Sequence, residues 1–274
     1  MSLLLHKQTR QALEKLNADL PQSLLLIGQK GTGLCTLGLS IADKNLIAEL
    51  YPLDSKGTVN NESGLISVEM IRGLYDTTRA RREKRAVVLI DNADRMSAGA
   101  QAAFLKLLEE PSPNIHFILT SHAPQKLLPT VRSRVEELIV HPVSQTETKE
   151  FIASLGVTDA KKQTQLLFIA SGLPAEITRV AKDDEYFMKR ARVVGQARDF
   201  LQHDPYKKML LIQEYKNDRD SAISLIDSCI FILRRTLSAK PQQAIISQLE
   251  LLLYIRENIS ANYNISLQLA RFAM

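Results

Sequence analysis

The stretch Leu24-Leu25-Leu26-Ile27-Gly28-Gln29-Lys30-Gly31-Thr32-Gly33-Leu34-Cys35 decides how this chain is read. A continuous apolar run stops at a glycine-rich segment, and a helical pattern follows over residues 35–42. An unbroken apolar run of this length reads as a strand buried on both faces. Strand, glycine loop and helix in that order form the context of a phosphate-binding loop, G-x-x-x-x-G-K-[ST]. There the backbone N–H groups and the helix N-terminus cradle an anion. Gly28, Gly31 and Gly33 stand where such a loop wants them, but the lysine position is Leu34 and the hydroxyl position is Cys35. Leucine donates nothing to a phosphate, beside which its apolar side chain is expected to lie. A thiol is a poor ligand for the hard cation Mg²⁺. Thr36 lies about 100° further round the helix and points elsewhere. Lys30 is within reach of an anion but is not at the lysine position. Two readings stay open on these residues alone: a plain glycine-rich turn, or a degenerate nucleotide site that binds weakly or not at all.

Working outward, three more apolar runs read as strands: Ala86-Val87-Val88-Leu89-Ile90, Ile115-His116-Phe117-Ile118-Leu119-Thr120 and Glu137-Leu138-Ile139-Val140. With helical patterns between them they predict an α/β fold with a parallel sheet covered on both faces. One helix is clearly punctuated. Ser97 is a good N-cap, Ala100, Ala103, Phe104, Leu107 and Leu108 form one stripe, and Glu109-Glu110-Pro111 ends it. After about residue 143 the chain reads as helix throughout, with short helices around Ser171-Gly172-Leu173-Pro174 and longer ones from Asp184 onward. Ile223, Ile226, Ile230, Leu233 and Leu237 form one core stripe, and Ile245, Leu249, Leu252 and Leu253 another, as in a helical bundle. The expected division is 1–143, 144–183 and 184–274.

Composition narrows the function classes. The chain has 274 residues, 45% of them hydrophobic and 24% charged, as in an ordinary globular protein. No apolar run nears the roughly 20 residues of a membrane span, and the N-terminus has no signal-peptide architecture, so a cytoplasmic location without a membrane partner is expected. Two distant cysteines, Cys35 and Cys229, exclude a disulfide framework and a CxxC zinc site. The five histidines show no metal-ligand spacing. A net charge of +5 is compatible with nucleic-acid contact without demanding it. The densest basic run is Arg79-Ala80-Arg81-Arg82-Glu83-Lys84-Arg85. It is read first as a solvated helix end and second as a DNA contact, with no interleaved aromatic for base stacking.

The strand at 87–90 ends in Asp91-Asn92-Ala93-Asp94, and the chain continues Arg95-Met96-Ser97 into a helix that closes on Leu107-Leu108-Glu109-Glu110-Pro111. Further on come Thr120-Ser121 and then Leu128-Pro129-Thr130-Val131-Arg132-Ser133-Arg134-Val135. In this order these motifs resemble the AAA+ clamp-loader family, with its Asp-x-Ala-Asp-x-Met, Leu-Glu-Glu-Pro and Ser-Arg-Cys signatures. The likeness extends to His6-Lys7-Gln8-Thr9, to the stretch around Ile66, and to Asn262-Tyr263-Asn264 near the C-terminus. The degenerate loop beside an intact Ser133-Arg134 is most similar to the delta-prime branch of the bacterial DNA polymerase III clamp loader.

The resemblance implies an AAA+ core with a helical lid and an all-α collar for oligomerisation. Its Asp91-Asn92 stands where active relatives carry Asp-Glu, and Asn92 cannot serve as a general base. Asp94 is read as a cap or a partner near Arg95. Gly172-Leu173-Pro174-Ala175 replaces a Gly-x-x-Arg sensor motif. Arg134, with Ser133, is implied to be an arginine finger for a neighbouring subunit's ATP; on position alone it would be a surface ion pair. Val135 replaces the family's cysteine. Residues 43–85 lack the cysteines of the zinc module found in many relatives, so no zinc is expected. The implied role is non-hydrolysing. The implied partners are AAA+ motor subunits, a delta subunit, the sliding clamp and, through the complex, primer-template DNA. Two alternatives are an ATP-binding motor subunit of the same loader, and a repair or recombination AAA+ helper that binds DNA directly.

Overall fold

In the computed structural model, residues 3–18, 20–61, 63–79, 82–239 and 241–273 are described. The chain forms two compact units, Met1–Ala181 and Lys182–Met274. The first runs α1 (Lys7–Ala18), β1 (Ser23–Gly28), α2 (Leu34–Ala42), β2 (Leu46–Leu50), α3 (Val68–Arg79), β3 (Ala86–Ile90), α4 (Ala98–Glu109), β4 (Ile115–Ser121), α5 (Pro129–Arg132) and β5 (Glu136–Val140). Three helices complete it: α6 (Gln145–Ser154), α7 (Ala160–Ala170) and α8 (Pro174–Lys182).

The five strands form one sheet in the order β2-β3-β4-β1-β5, with every pairing parallel. β1 lies between β4 and β5, with Leu25 opposite Leu119 on one side and Glu137 on the other. Successive strand residues point to opposite faces, and the packing follows that alternation. Leu25, Val88, Ile90, Phe117 and Leu119 join one core with Ile71, Leu74, Phe104, Leu107 and Val131 from α3, α4 and α5. Leu24, Leu26, Val87, Leu89 and Ile118 join a second core with Leu13 of α1 and Leu34 and Leu37 of α2. The four expected strands are present, and the sequence reading missed β2. That strand is a half-buried edge whose five residues lack an unbroken apolar run.

The second unit is all helix: α9 (Asp184–Gln202), α10 (Pro205–Tyr215), α11 (Arg219–Ala239), α12 (Gln243–Ser260) and α13 (Ile265–Ala273). Ile226, Ile230 and Leu233 of α11 meet Ile245, Leu249 and Leu252 of α12 in its core. Leu253 was expected in that core but is 43% exposed. One residue is about 100° of helix, so the stripe continues instead through Ile255 and Ile259. The Arg219 guanidinium caps the bundle from within by donating to the carbonyls of Ile259 and Tyr263, at the end of α12 and just beyond it. Among the described residues no helix is long and apolar enough to cross a membrane.

Phe104 of α4 is fully buried and stands edge-on to Phe117 of β4, with centroids 5.2 Å apart. Phe104→Ala is expected to cost about 3–5 kcal/mol through lost burial and a residual cavity. Denaturant titration of the two proteins checks this, and a loss below about 1 kcal/mol would mean that the helix does not hold the sheet as described.

Candidate functional site

The glycine loop leaves the carboxyl end of β1 beside β4, where ligand sites form in open parallel sheets. Thr32 closes the loop on itself, its N–H donating to the Gln29 carbonyl at 3.1 Å and its Oγ1 to the same oxygen at 2.8 Å. Gly31 and Gly33 hold φ of 92° and 90°, a region that side-chain-bearing residues avoid. Leu34 does not lie beside the loop mouth as expected. It is only 2% exposed and turns beneath the loop into the core with Leu24 and Leu26. An apolar side chain at this position gains more by leaving the polar cradle than by lining it. Lys30 stays exposed.

The loop mouth is met by α8. The Gly31 carbonyl accepts from the N–H groups of Ala175 at 3.0 Å and Glu176 at 3.3 Å. The first N–H groups of a helix lack intrahelical partners and form an anion site; here a backbone carbonyl takes them. The segment around Gly172-Leu173-Pro174-Ala175 is therefore the one that touches the loop. A Cβ on Gly31 would stand 3.0 Å from the Glu176 Cβ and 3.3 Å from the Leu173 Cβ.

At the end of β3, Asp91 and Asn92 are both buried. Thr120 of β4 binds them together. Its Oγ1 donates to Asp91 Oδ1 at 2.7 Å and accepts from the Asn92 N–H at 2.9 Å. Asn92 adopts φ 51°, and its side-chain amide donates to Asp91 Oδ2 at 2.9 Å. Its carboxamide is thus engaged with the neighbouring acid, and it carries no basic oxygen to activate water. Asp94, read from sequence as a cap or a partner near Arg95, accepts from Ser121 Oγ at 2.8 Å and from the His122 N–H at 3.1 Å. His122 Nδ1 donates to the Gly28 carbonyl at 2.8 Å, which fixes its tautomer and ties the end of β4 to the loop.

Cys35 faces this acidic node. Burial pushes its thiol up to about 12, and the Asp91 charge adds to that effect. Asp91 is itself raised above the ordinary carboxylate range, chiefly by burial. Tyr51 lies 4.0 Å from the sulfur and hydrogen-bonds Glu49. This donor set offers a neutral thiol where Mg²⁺ chemistry requires an oxygen.

Arg134 stands apart from the loop, just beyond α5. Its Nη1 donates to the Thr130 carbonyl at 2.9 Å and to Ser133 Oγ at 3.2 Å, and its Nη2 is 2.9 Å from Glu109 Oε1. Arg132, two residues away, is paired instead with Glu137 of β5 at 2.7 Å. Gln101, buried in α4, connects this region to the helix. Its amide donates to the carbonyls of Met96 and Lys126 and accepts from the Leu128 N–H at 2.7 Å. Sequence reasoning missed Gln101, His122 and the Glu109 contact. Only the glutamine gave a signal, as a polar residue directly beside an apolar helical stripe. Of the basic run at 79–85, positions 80 and 81 lie outside the described residues.

The two thiols give a direct check of this geometry. An acid whose pKa is raised stays protonated below that value, so Cys35 should alkylate slowly in the folded protein at about pH 9. Asp91→Asn removes the second cause of its shift and leaves the larger one, burial. Alkylation by iodoacetamide should then speed up at Cys35 and stay unchanged at Cys229, which is buried in the other unit. Equal Cys35 rates in the two proteins, followed by mass spectrometry, would refute the juxtaposition.

Residues 27–144 match the family described as DNA polymerase III, delta subunit. The chain is 33% identical over 118 residues to the DNA polymerase III subunit delta' of Pseudomonas aeruginosa, covering 42% of this chain and 36% of that one. It is 29% identical over 110 residues to the subunit delta' of Bacillus subtilis, covering 40% and 33%. The matched segment therefore spans about a third of the length of these curated relatives. A DNA polymerase III gamma subunit-related protein of Thermotoga maritima shares the fold, with a TM-score of 0.52 at 18% identity over 97% of both chains. The sheet with its glycine loop is an AAA+ fold, and residues 27–144 are similar to clamp-loader proteins of the delta-prime type.

Proposed function

We propose that this chain is a non-hydrolysing clamp-loader subunit that lends Arg134 to ATP bound by a neighbouring subunit. The observation that carries the reading is Leu34, buried at the position where an active loop presents its phosphate-binding lysine. Three further features support it. Cys35 is a neutral thiol in place of a magnesium-binding hydroxyl, and Asn92 is an amide in place of the catalytic acid. The N-terminus of α8 is hydrogen-bonded to the loop itself. Arg134, by contrast, keeps a fixed guanidinium at the surface. A guanidinium so placed stabilises charge on a transferring phosphoryl group, which is the work of an arginine finger.

In this reading the partners are AAA+ motor subunits, a delta subunit and the sliding clamp. The complex opens the clamp and places it on primed DNA in the cytoplasm. Helices α6, α7 and α8 serve as the lid. Unit Lys182–Met274 is the collar, and exposed apolar residues on α10 and α13, among them Tyr206, Leu210 and Leu267, suit it to packing against neighbours.

Two measurements test the proposal. Calorimetric titration of the chain with ATP and Mg²⁺ should give little or no binding; tight binding would favour the motor-subunit alternative. In a reconstituted loader, Arg134→Ala should lower clamp- and DNA-stimulated ATPase by about 10³-fold or more, with assembly intact. An unchanged rate would sink the finger reading. Strong salt-dependent duplex binding by the chain alone would then bring the DNA-binding alternative forward.

A further inference from the structure

The geometry points to Glu109 as the positioning residue that aims Arg134, an inference that rests on the finger reading above. Glu109 is the last residue of α4, and Glu110 and Pro111 follow. The carboxyl end of a helix carries negative potential, so acids there oppose the helix dipole and cations favour it. Two consecutive glutamates at that end are the wrong choice for helix stability. One of them, Glu109, reaches 2.9 Å to the Arg134 guanidinium. The arginine is thereby paired with a carboxylate borne by the last residue of the helix.

Three acceptors hold the guanidinium from two elements. Thr130 and Ser133, in and just after α5, take Nη1, and Glu109 of α4 takes Nη2. The α4 anchor is the one that lies outside the turn carrying the arginine. The side chains of Arg134 and Glu109 are 37% and 50% exposed. A pair this open adds little to stability; what it restricts is orientation. A long, flexible side chain with one fixed edge presents its remaining N–H groups in one direction, and a finger needs that at the moment of phosphoryl transfer. Arg132 lacks this arrangement because it is held to β5 by Glu137.

The test uses the complete loader assembled with this chain as wild type, Glu109→Gln, Glu109→Asp, Arg134→Ala, or Glu109→Gln with Arg134→Ala. Glutamine keeps the shape but weakens the charge-assisted bond. Glu109→Gln should lower kcat about tenfold, less than loss of the finger itself, and leave KM for ATP unchanged. Glu109→Asp should recover part of that loss. Adding Glu109→Gln to Arg134→Ala should change nothing further, because the first residue acts only through the second. Thermal melting and gel filtration confirm that each variant folds and assembles. A wild-type or faster rate for Glu109→Gln, beside a slow Arg134→Ala, overturns the positioning role and leaves the finger intact. A further loss in the double variant also overturns it, by placing the effect of Glu109 elsewhere. A wild-type rate for Arg134→Ala removes the finger reading and the inference with it.

Discussion

A parallel sheet has to be covered on both faces, and most of the first unit follows from that requirement. Because alternate residues of β1, β3 and β4 face different cores, those strands are apolar at nearly every position. Because both faces are covered, polar chemistry is left to the carboxyl ends of the strands. The glycine loop, Asp91, Thr120 and His122 all gather there. The buried polar atoms of Asp91, Asn92 and Thr120 bind one another, as buried polar groups have to. Thr120 does this most economically, since one hydroxyl serves the Asp91 carboxylate and the Asn92 backbone together.

The loop has the backbone of a phosphate-binding turn without that turn's lysine and hydroxyl. Gly31 and Gly33 still take the left-handed conformation that the turn requires. Around it the side chains and backbone serve one another: Leu34 fills core, Asn92 binds its neighbour, and the α8 N-terminus binds the loop. Arg134 lies outside this network, with contacts drawn from α4 and from the turn that carries it.

The sequence made much of this legible, for identifiable reasons. Unbroken apolar runs mark β1, β3, β4 and β5, and the cap at Ser97 with the proline at 111 brackets α4. β2, a half-buried edge strand interrupted by Glu49, escaped although it is as long as β3. Leu253 was misassigned by a single residue of helical phase. For the site, the residue types at positions 34, 35 and 92 are read directly from the sequence, since motif positions are local. Where Leu34 turns, what Asp94 binds, and which acid meets Arg134 depend on partners distant in the chain. Residue type and spacing do not encode those.

The place of β1 in the sheet has a consequence for how the chain comes together during synthesis. Leu24 pairs with Ile118 on one side and Glu136 on the other, so both neighbours of this strand lie roughly a hundred residues downstream. At ribosomal rates of about 5–20 residues per second, the apolar run waits roughly five to twenty seconds before either edge can be paired. The helical unit that follows draws on nearer contacts, such as those between α11 and α12, which form quickly once made. The order of emergence thus leaves β1, an apolar strand, as the one that must stay unpaired longest, a demand on the nascent chain that the finished fold no longer displays.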